Sequence, residues 1–219
     1  MATVVFGLAL AVFVVGLSLF VLTQPFFTRV LAERLSLADE AGLPRERMLA
    51  VAEQVRAYVV DGVGATLPEW VDGRPGFDAS AVSHLSDVRD VIAAASVATW
   101  SLAIVLALWF GIQVASGRLD RVAQTMYAGA LSCVVFVVLA FVAGLFDFDA
   151  LFSAFHGLFF AEGTWTFASD SLLIQTFPES FWATAAGVWG ALVLLGAAAL
   201  GLGARTLSAS GAQTSPDAE

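Results

Sequence analysis

The sequence contains four apolar stretches, each long enough to cross a lipid bilayer as a helix, and these limit the fold more than any other feature. Crossing takes about 20 predominantly apolar residues. The stretches run over residues 4–22, 91–114, 122–145 and 181–202. Inside hydrocarbon every backbone N–H and C=O must be paired within the chain, so such runs fold as helices. The expectation is an all-α membrane protein, a four-transmembrane-helix bundle forming one integral domain over residues 1–205. Residues 206–219 read as a disordered tail. Only 13% of the residues are charged, about half the usual share for a soluble domain.

The first stretch is read as a retained helix. A signal peptide has a basic n-region and a small-residue cleavage site. Here Met1-Ala2-Thr3 carries no charge, and the run ends in Thr23-Gln24-Pro25-Phe26-Phe27. An even number of spans puts both termini on one side. The short connection Gly117-Arg118-Leu119-Asp120-Arg121 and Arg205 lie on that side, which the positive-inside rule assigns to the cytoplasm. Residues 24–90 carry seven arginines but also eleven acidic residues. Long segments translocate largely regardless of charge, so this one is placed outside, as a cap.

Within 24–90, Pro44 can open a helix with apolar positions at Leu49, Ala52, Val55 and Val59. Gly62 and Gly64 end it. An irregular stretch with Pro68, Asp72-Gly73, Pro75 and Gly76 follows, in which short strands are possible. Asp78 or Ser80 can cap a helix that continues unbroken into the second span. His84 lies seven residues before that span, about 10 Å above the hydrocarbon edge and at headgroup depth.

The second outer segment, 146–178, is crowded with Phe146, Phe148, Phe152, Phe155, Phe159, Phe160, Trp165, Phe167 and Phe177. Phe148, Phe152, Phe155 and Phe159 share one face of a short helix. The segment is expected to lie in the membrane interface. Thr176 and Glu179 have the spacing of a capping box for the fourth span, and Trp182 follows as an interface anchor.

The scarce polar residues narrow the chemistry. The single cysteine, Cys133, excludes an intramolecular disulfide and any multi-cysteine metal site. A net charge of −9 argues against nucleic acid as a partner. No Gly-x-Ser-x-Gly elbow and no metal-spaced histidine pair is present. The chain's two histidines, His84 and His156, fall on the same membrane face. Asp87 stands three residues from His84 on one helix face, where a carboxylate can orient an imidazole. Arg89 is close by. His156 lies among phenylalanines, a setting that favours its neutral, basic form. The pair suggests general acid–base catalysis without a covalent intermediate, needing no cofactor and no metal.

At these residues the sequence resembles the Lit-type lipoprotein intramolecular transacylases. His84-Leu85-Ser86-Asp87-Val88-Arg89 resembles the first signature of that family. Phe155-His156-Gly157-Leu158-Phe159-Phe160 with Trp165-Thr166-Phe167 resembles the second. Leu173-Ile174 with Phe177-Pro178-Glu179-Ser180-Phe181-Trp182 resembles the third. The resemblance implies an enzyme of the bacterial plasma membrane, with an extracellular cap over a site on the outer face. It would move the sn-2 acyl chain of a diacylglyceryl-cysteine lipoprotein, a substrate in the outer leaflet, onto the cysteine α-amino group, giving the lyso-form lipoprotein. His84 and His156 would be catalytic, with Asp87 and Arg89 supporting them. Phe155, Phe159, Phe160, Trp165, Phe177 and Trp182 would hold substrate and membrane lipid. Three other readings stay open on the residues alone: another membrane lipid acyltransferase or lipase, a bis-histidine haem b electron carrier, and a membrane scaffold without activity.

Overall fold

A computed structural model describes residues 1–62 and 66–213. The elements in chain order are α1 (Ala2–Leu22), α2 (Pro25–Arg34), α3 (Leu37–Ala41), α4 (Arg45–Val60), β1 (Trp70–Val71), β2 (Arg74–Pro75), α5 (Ala79–Ala115), α6 (Leu119–Phe146), α7 (Phe148–Phe159), α8 (Leu172–Thr176) and α9 (Glu179–Gln213). The four long apolar helices are α1, α5, α6 and α9. Each contains one of the four expected spans. The chain divides into two compact units, one of residues 1–19, 96–142 and the chain from 189 on, the other of residues 20–95 and 143–188.

The first unit is the helical bundle. Its outward residues are apolar at helical spacing: Val97, Trp100, Ile104, Leu108 and Ile112 along α5 are all exposed. A water-soluble protein would bury such a stripe; here it faces lipid. Between helices the contacts are made by small groups, as expected where hydrocarbon tails outside are as apolar as the side chains inside. A Cβ added at Gly7 of α1 would fall 2.5 Å from the Ala128 Cβ of α6. Ala11, Cys133, Val193 and Ala197 form the buried centre, with Val14, Val15 and Trp189 against it. The Trp189 indole Nε1–H donates to the Val15 carbonyl, 3.2 Å away.

The second unit is built on a buried core of Leu37, Met48, Val51, Val55, Val71, Phe77, Leu85, Leu172 and Phe181. α4 starts after Pro44, as its sequence suggests. It buries Met48, Val51, Ala52 and Val55, while Leu49 and Val59 pack at the edge of the core. Arg56 fixes its far end, donating to Glu53, to Asp61 and to the Thr23 carbonyl. Asp78 caps α5, its carboxylate accepting from the Ala81 N–H at 2.8 Å and from the Ser80 hydroxyl at 2.9 Å. From there α5 runs 37 residues without a break, about 55 Å at helical rise. Such a helix is longer than the hydrocarbon layer is thick, so its first turns stand clear of the span.

One detail left open by the sequence is placed, and three differ from its reading. The irregular stretch contains a two-stranded antiparallel hairpin, with Trp70 opposite Pro75 and Val71 opposite Arg74. Asp72 and Gly73 turn it with φ values of 50° and 77°, the positive values that a tight hairpin of this kind requires. α2 and α3 add two helices that apolar spacing did not single out. Thr176 makes no capping box with Glu179. It closes α8, where its hydroxyl donates to the Leu172 carbonyl at 2.6 Å, and Pro178 supplies the first carbonyl of α9. Finally, α9 continues through residues 206–213, which were expected to be disordered; no proline stands between Thr206 and Gln213 to stop the helix begun upstream. Residues 214–219, and the helix end expected at Gly64, lie outside the described residues.

Candidate active site

Both histidines belong to the second unit. His84 sits in the second turn of α5, between buried Ala81 and Leu85, and is itself only 7% exposed. His156 sits on α7, whose capping residue Asp147 accepts from the Ala150 N–H at 2.9 Å. The phenylalanine spacing that suggested this helix gives its bounds, Phe148–Phe159. The two imidazole rings lie with centroids 6.1 Å apart and planes inclined by 28°. Residues 72 positions apart in the chain are thus brought into one site.

The pair is enclosed by aromatic rings. Phe160 lies edge-on to His84 at 4.9 Å and within 5.7 Å of His156. Trp165 lies 4.8 Å from His156, and Phe155 meets it edge-on at 5.6 Å. Two neighbours were absent from the expected binding residues. Phe152 is the nearest ring to His156, at 4.0 Å, and Phe167 lies 5.6 Å from His84. Each had a signal in the sequence: Phe152 is one turn before His156, and Phe167 follows Trp165 in the same short motif. Phe177 and Trp182 form a second group with Phe181, joined to the first by the 6.4 Å contact of Trp182 with Phe152. Phe159 contacts Phe155 and Phe160 but neither imidazole among the described contacts. Phe155, Leu158, Phe159 and Trp182 are exposed, an apolar surface suited to acyl chains.

The two rings differ in their polar contacts. Nδ1 of His156 is 2.9 Å from the Phe152 carbonyl oxygen. A carbonyl can only accept, so Nδ1 carries the hydrogen and Nε2 is left as the basic nitrogen. Nδ1 of His84 is buried and has no hydrogen-bond partner. Asp87, exposed on α5, acts on His84 through its charge and forms no hydrogen bond with it among the described residues. Burial pushes both imidazoles below the usual 6.5. For His84 the nearby His156 adds to the fall and Asp87 opposes it; for His156 the bond to Phe152 opposes it. The pair is therefore neutral at physiological pH, as a proton acceptor must be. Arg89 points elsewhere: it donates to Ser86 at 2.9 Å and its guanidinium lies over the Tyr58 ring at 5.3 Å. It braces α4 against α5. Among the described residues no group of three or more His, Cys, Asp or Glu side chains is placed to hold a metal ion.

The sequence profile of the family described as lipoprotein intramolecular transacylase Lit matches residues 2–182. The chain belongs to the Lit family. Among curated protein sequences none matches it. The solved structure of the membrane integral lipoprotein intramolecular transacylase Lit from Bacillus cereus is similar, with a TM-score of 0.79 at 17% identity over 97% of this chain and 96% of that one. Two structures of the same Bacillus cereus protein in which a histidine is replaced, by arginine in one and alanine in the other, each give a TM-score of 0.75 at 14% identity. They cover 98% and 97% of this chain and 92% and 94% of those chains. The likeness extends the fold over nearly the whole chain. Membership of the Lit family, with four membrane-crossing helices, makes this a multi-pass membrane acyltransferase acting on lipoprotein. It selects acyl transfer over the haem-carrier, lipase and scaffold readings.

Proposed function

We propose that His84 and His156 catalyse migration of the sn-2 acyl chain of a diacylglyceryl-cysteine lipoprotein to its own α-amino group. The observation that carries this is the juxtaposed imidazole pair, 6.1 Å between centroids, inside an aromatic enclosure that opens on exposed apolar residues. Donor ester and acceptor amine belong to one substrate molecule, so the protein's main task is orientation. The neutral amine attacks the ester carbonyl carbon; a C–N bond forms and the carbonyl π pair moves onto oxygen. Nε2 of His156 takes the proton released from nitrogen. The tetrahedral intermediate then re-forms its C=O bond and expels the glycerol oxygen. His84 delivers a proton to that oxygen, drawing on the one His156 has taken, so the pair ends neutral as it began. No enzyme nucleophile and no acyl-enzyme take part.

The site faces outward, where the lipoprotein occupies the outer leaflet, and both termini are cytoplasmic. Arg118 and Arg121 between the second and third spans, with Arg205 after the fourth, support that orientation by the positive-inside rule. Residues 24–90 serve as the extracellular cap. Phe155, Phe159, Phe160, Trp165, Phe177 and Trp182 line the path of the acyl chains, and Asp87 and Arg89 support the histidine helix from its outer side.

The test is expression in a bacterium whose lipoproteins keep a free cysteine amine. Mass spectrometry of the N-terminal lipopeptide, with fragmentation to locate the chain, reports the outcome, because acyl migration leaves the mass unchanged. Conversion to the N-acyl lyso form by the wild type, lost in His84→Ala and His156→Ala, is the expected result. A free amine throughout, with well-expressed wild type, overturns the proposal.

A further inference from the structure

The oxygen of the ester carbonyl gains a full negative charge in the tetrahedral intermediate, and a desolvated site must offer it a hydrogen-bond donor. His156 is poorly suited to this, and His84 is already assigned to the departing glycerol oxygen. Nδ1 of His156 is committed to the Phe152 carbonyl, and its Nε2 must accept a proton. The backbone N–H groups around both histidines lie within helices α5 and α7 and are used there. Within the second unit, two buried side-chain atoms have no partner among the described residues: Nδ1 of His84 and Nε1 of Trp165. A buried donor without an acceptor is costly and rare unless a ligand or water completes it. The indole nitrogen is a donor only and does not titrate. Its ring lies against that of His156, the proposed base, with centroids 4.8 Å apart.

We propose that the Nε1–H of Trp165 is the oxyanion donor of this site, a catalytic role beyond the packing of acyl chains. The assignment rests on the transacylase reading above. It divides the labour without overlap: His156 removes the proton from nitrogen, Trp165 stabilises the charge on the carbonyl oxygen, and His84 serves the departing glycerol oxygen. The donor is neutral and fixed, so it strengthens as charge develops and needs no proton transfer of its own.

Trp165→Phe keeps a flat apolar ring and removes the N–H. With a synthetic diacylglyceryl lipopeptide in phospholipid bilayers, kcat is expected to fall by about 10²–10³-fold. KM and both limbs of the pH profile stay where they are. A purely apolar wall would instead raise KM and leave kcat near wild type; that result overturns the assignment while leaving the transacylase reading intact. Failure of the wild type itself to form the N-acyl product sinks the reading rather than the role of Trp165. If Trp165→Phe does not fold, β-(3-benzothienyl)alanine at position 165, which replaces N–H by sulfur in a ring of the same shape, decides the matter. Wild-type kcat in that variant refutes the donor, and a loss of similar size supports it.

Discussion

His156 donates through Nδ1 to the carbonyl oxygen of Phe152, 2.9 Å away and one turn earlier on the same helix. That bond does for His156 what a carboxylate was expected to do for His84. It selects one tautomer, fixes the ring plane and leaves Nε2 free to accept a proton. Because the anchor is a backbone oxygen, no side-chain substitution at position 152 removes it.

Replacement of either histidine by glutamine is therefore expected to cost about 10²–10⁴-fold in rate, the usual range for a positioned acid or base. The double variant should be little worse than the worse single one, since the two groups act on one proton path. Timed conversion of a synthetic diacylglyceryl lipopeptide, followed by fragment-ion analysis, measures both. Losses that multiply in the double variant would mean that the imidazoles act independently.

The rate should depend on pH chiefly through the substrate. An α-amino group titrates near 7.7–8.0, whereas burial holds both imidazoles below 6.5. Between about pH 7.5 and 6.5 the logarithm of kcat/KM should fall with a slope of one, from protonation of the amine alone. Only below the imidazole range should a second proton enter and the slope steepen. A slope of two beginning near pH 7 would place an imidazole at or above its ordinary value and contradict the burial argument.

Stability should follow the same protons with its own sign. An imidazole whose pKa is lowered by folding binds its proton more readily in the unfolded chain. Stability is then complete above 6.5 and declines as pH falls through the unfolded value toward the folded one. Thermal midpoints in detergent should drop on acidification from pH 7.5 to 5, and His84→Phe should flatten that drop. An unchanged drop in the variant would assign the effect to other groups.

Asp78 offers a test of how His84 is held. Its carboxyl lies below the usual carboxylate range because it accepts from the Ala81 N–H and the Ser80 hydroxyl. Asp78→Ala leaves the first turn of α5 uncapped, at about 1 kcal/mol. The first turns of α5 carry His84, so fraying there should lower activity more than the stability change explains, while Asp78→Asn should keep most of both. Hydrogen exchange over residues 79–85 together with the conversion rate checks this. Faster exchange with an unaltered rate would mean the core around Leu85 holds the histidine unaided.

What the sequence could and could not reveal follows from the reach of each signal. Periodicity marked the four spans, and the spacing of four phenylalanines marked α7, because both are properties of one segment. The cap at Asp78 was legible for the same reason. Contacts between distant segments were not. Spacing alone puts Asp87 on the face of His84, yet that carboxylate faces solvent while the ring turns into a core closed by Phe160 and Phe167 from the loop after α7. Arg89, two residues further on, is claimed by Tyr58 of α4. The Thr176 hydroxyl had two possible partners, and the choice fell to the carbonyl of a five-residue helix too short to be recognised in advance. Both histidines were identified because the chain has no others, so that scarcity stood in for distance information.

The bundle gives a final prediction that does not involve the site. At Gly7 an added Cβ meets the Ala128 Cβ at 2.5 Å and the Gly129 backbone nitrogen at 3.2 Å, and a Cβ on Gly129 meets the Leu10 side chain at 3.0 Å. A methyl group and a backbone cannot yield as the end of a flexible side chain does, so Gly7→Ala forces α1 and α6 apart. Packing supplies most of the association between helices in lipid, and overfilling a tight contact costs roughly 1–3 kcal/mol. Gly111→Ala, where the new Cβ has no neighbour within 4 Å, is the matched control, and the higher helix propensity of alanine makes it neutral or slightly stabilising. In detergent the thermal midpoint should fall for Gly7→Ala and hold for Gly111→Ala. The histidines belong to the other unit, so the conversion rate per folded molecule should be unchanged in both. Equal midpoints for the two variants would show that α1 and α6 are not held by close backbone approach.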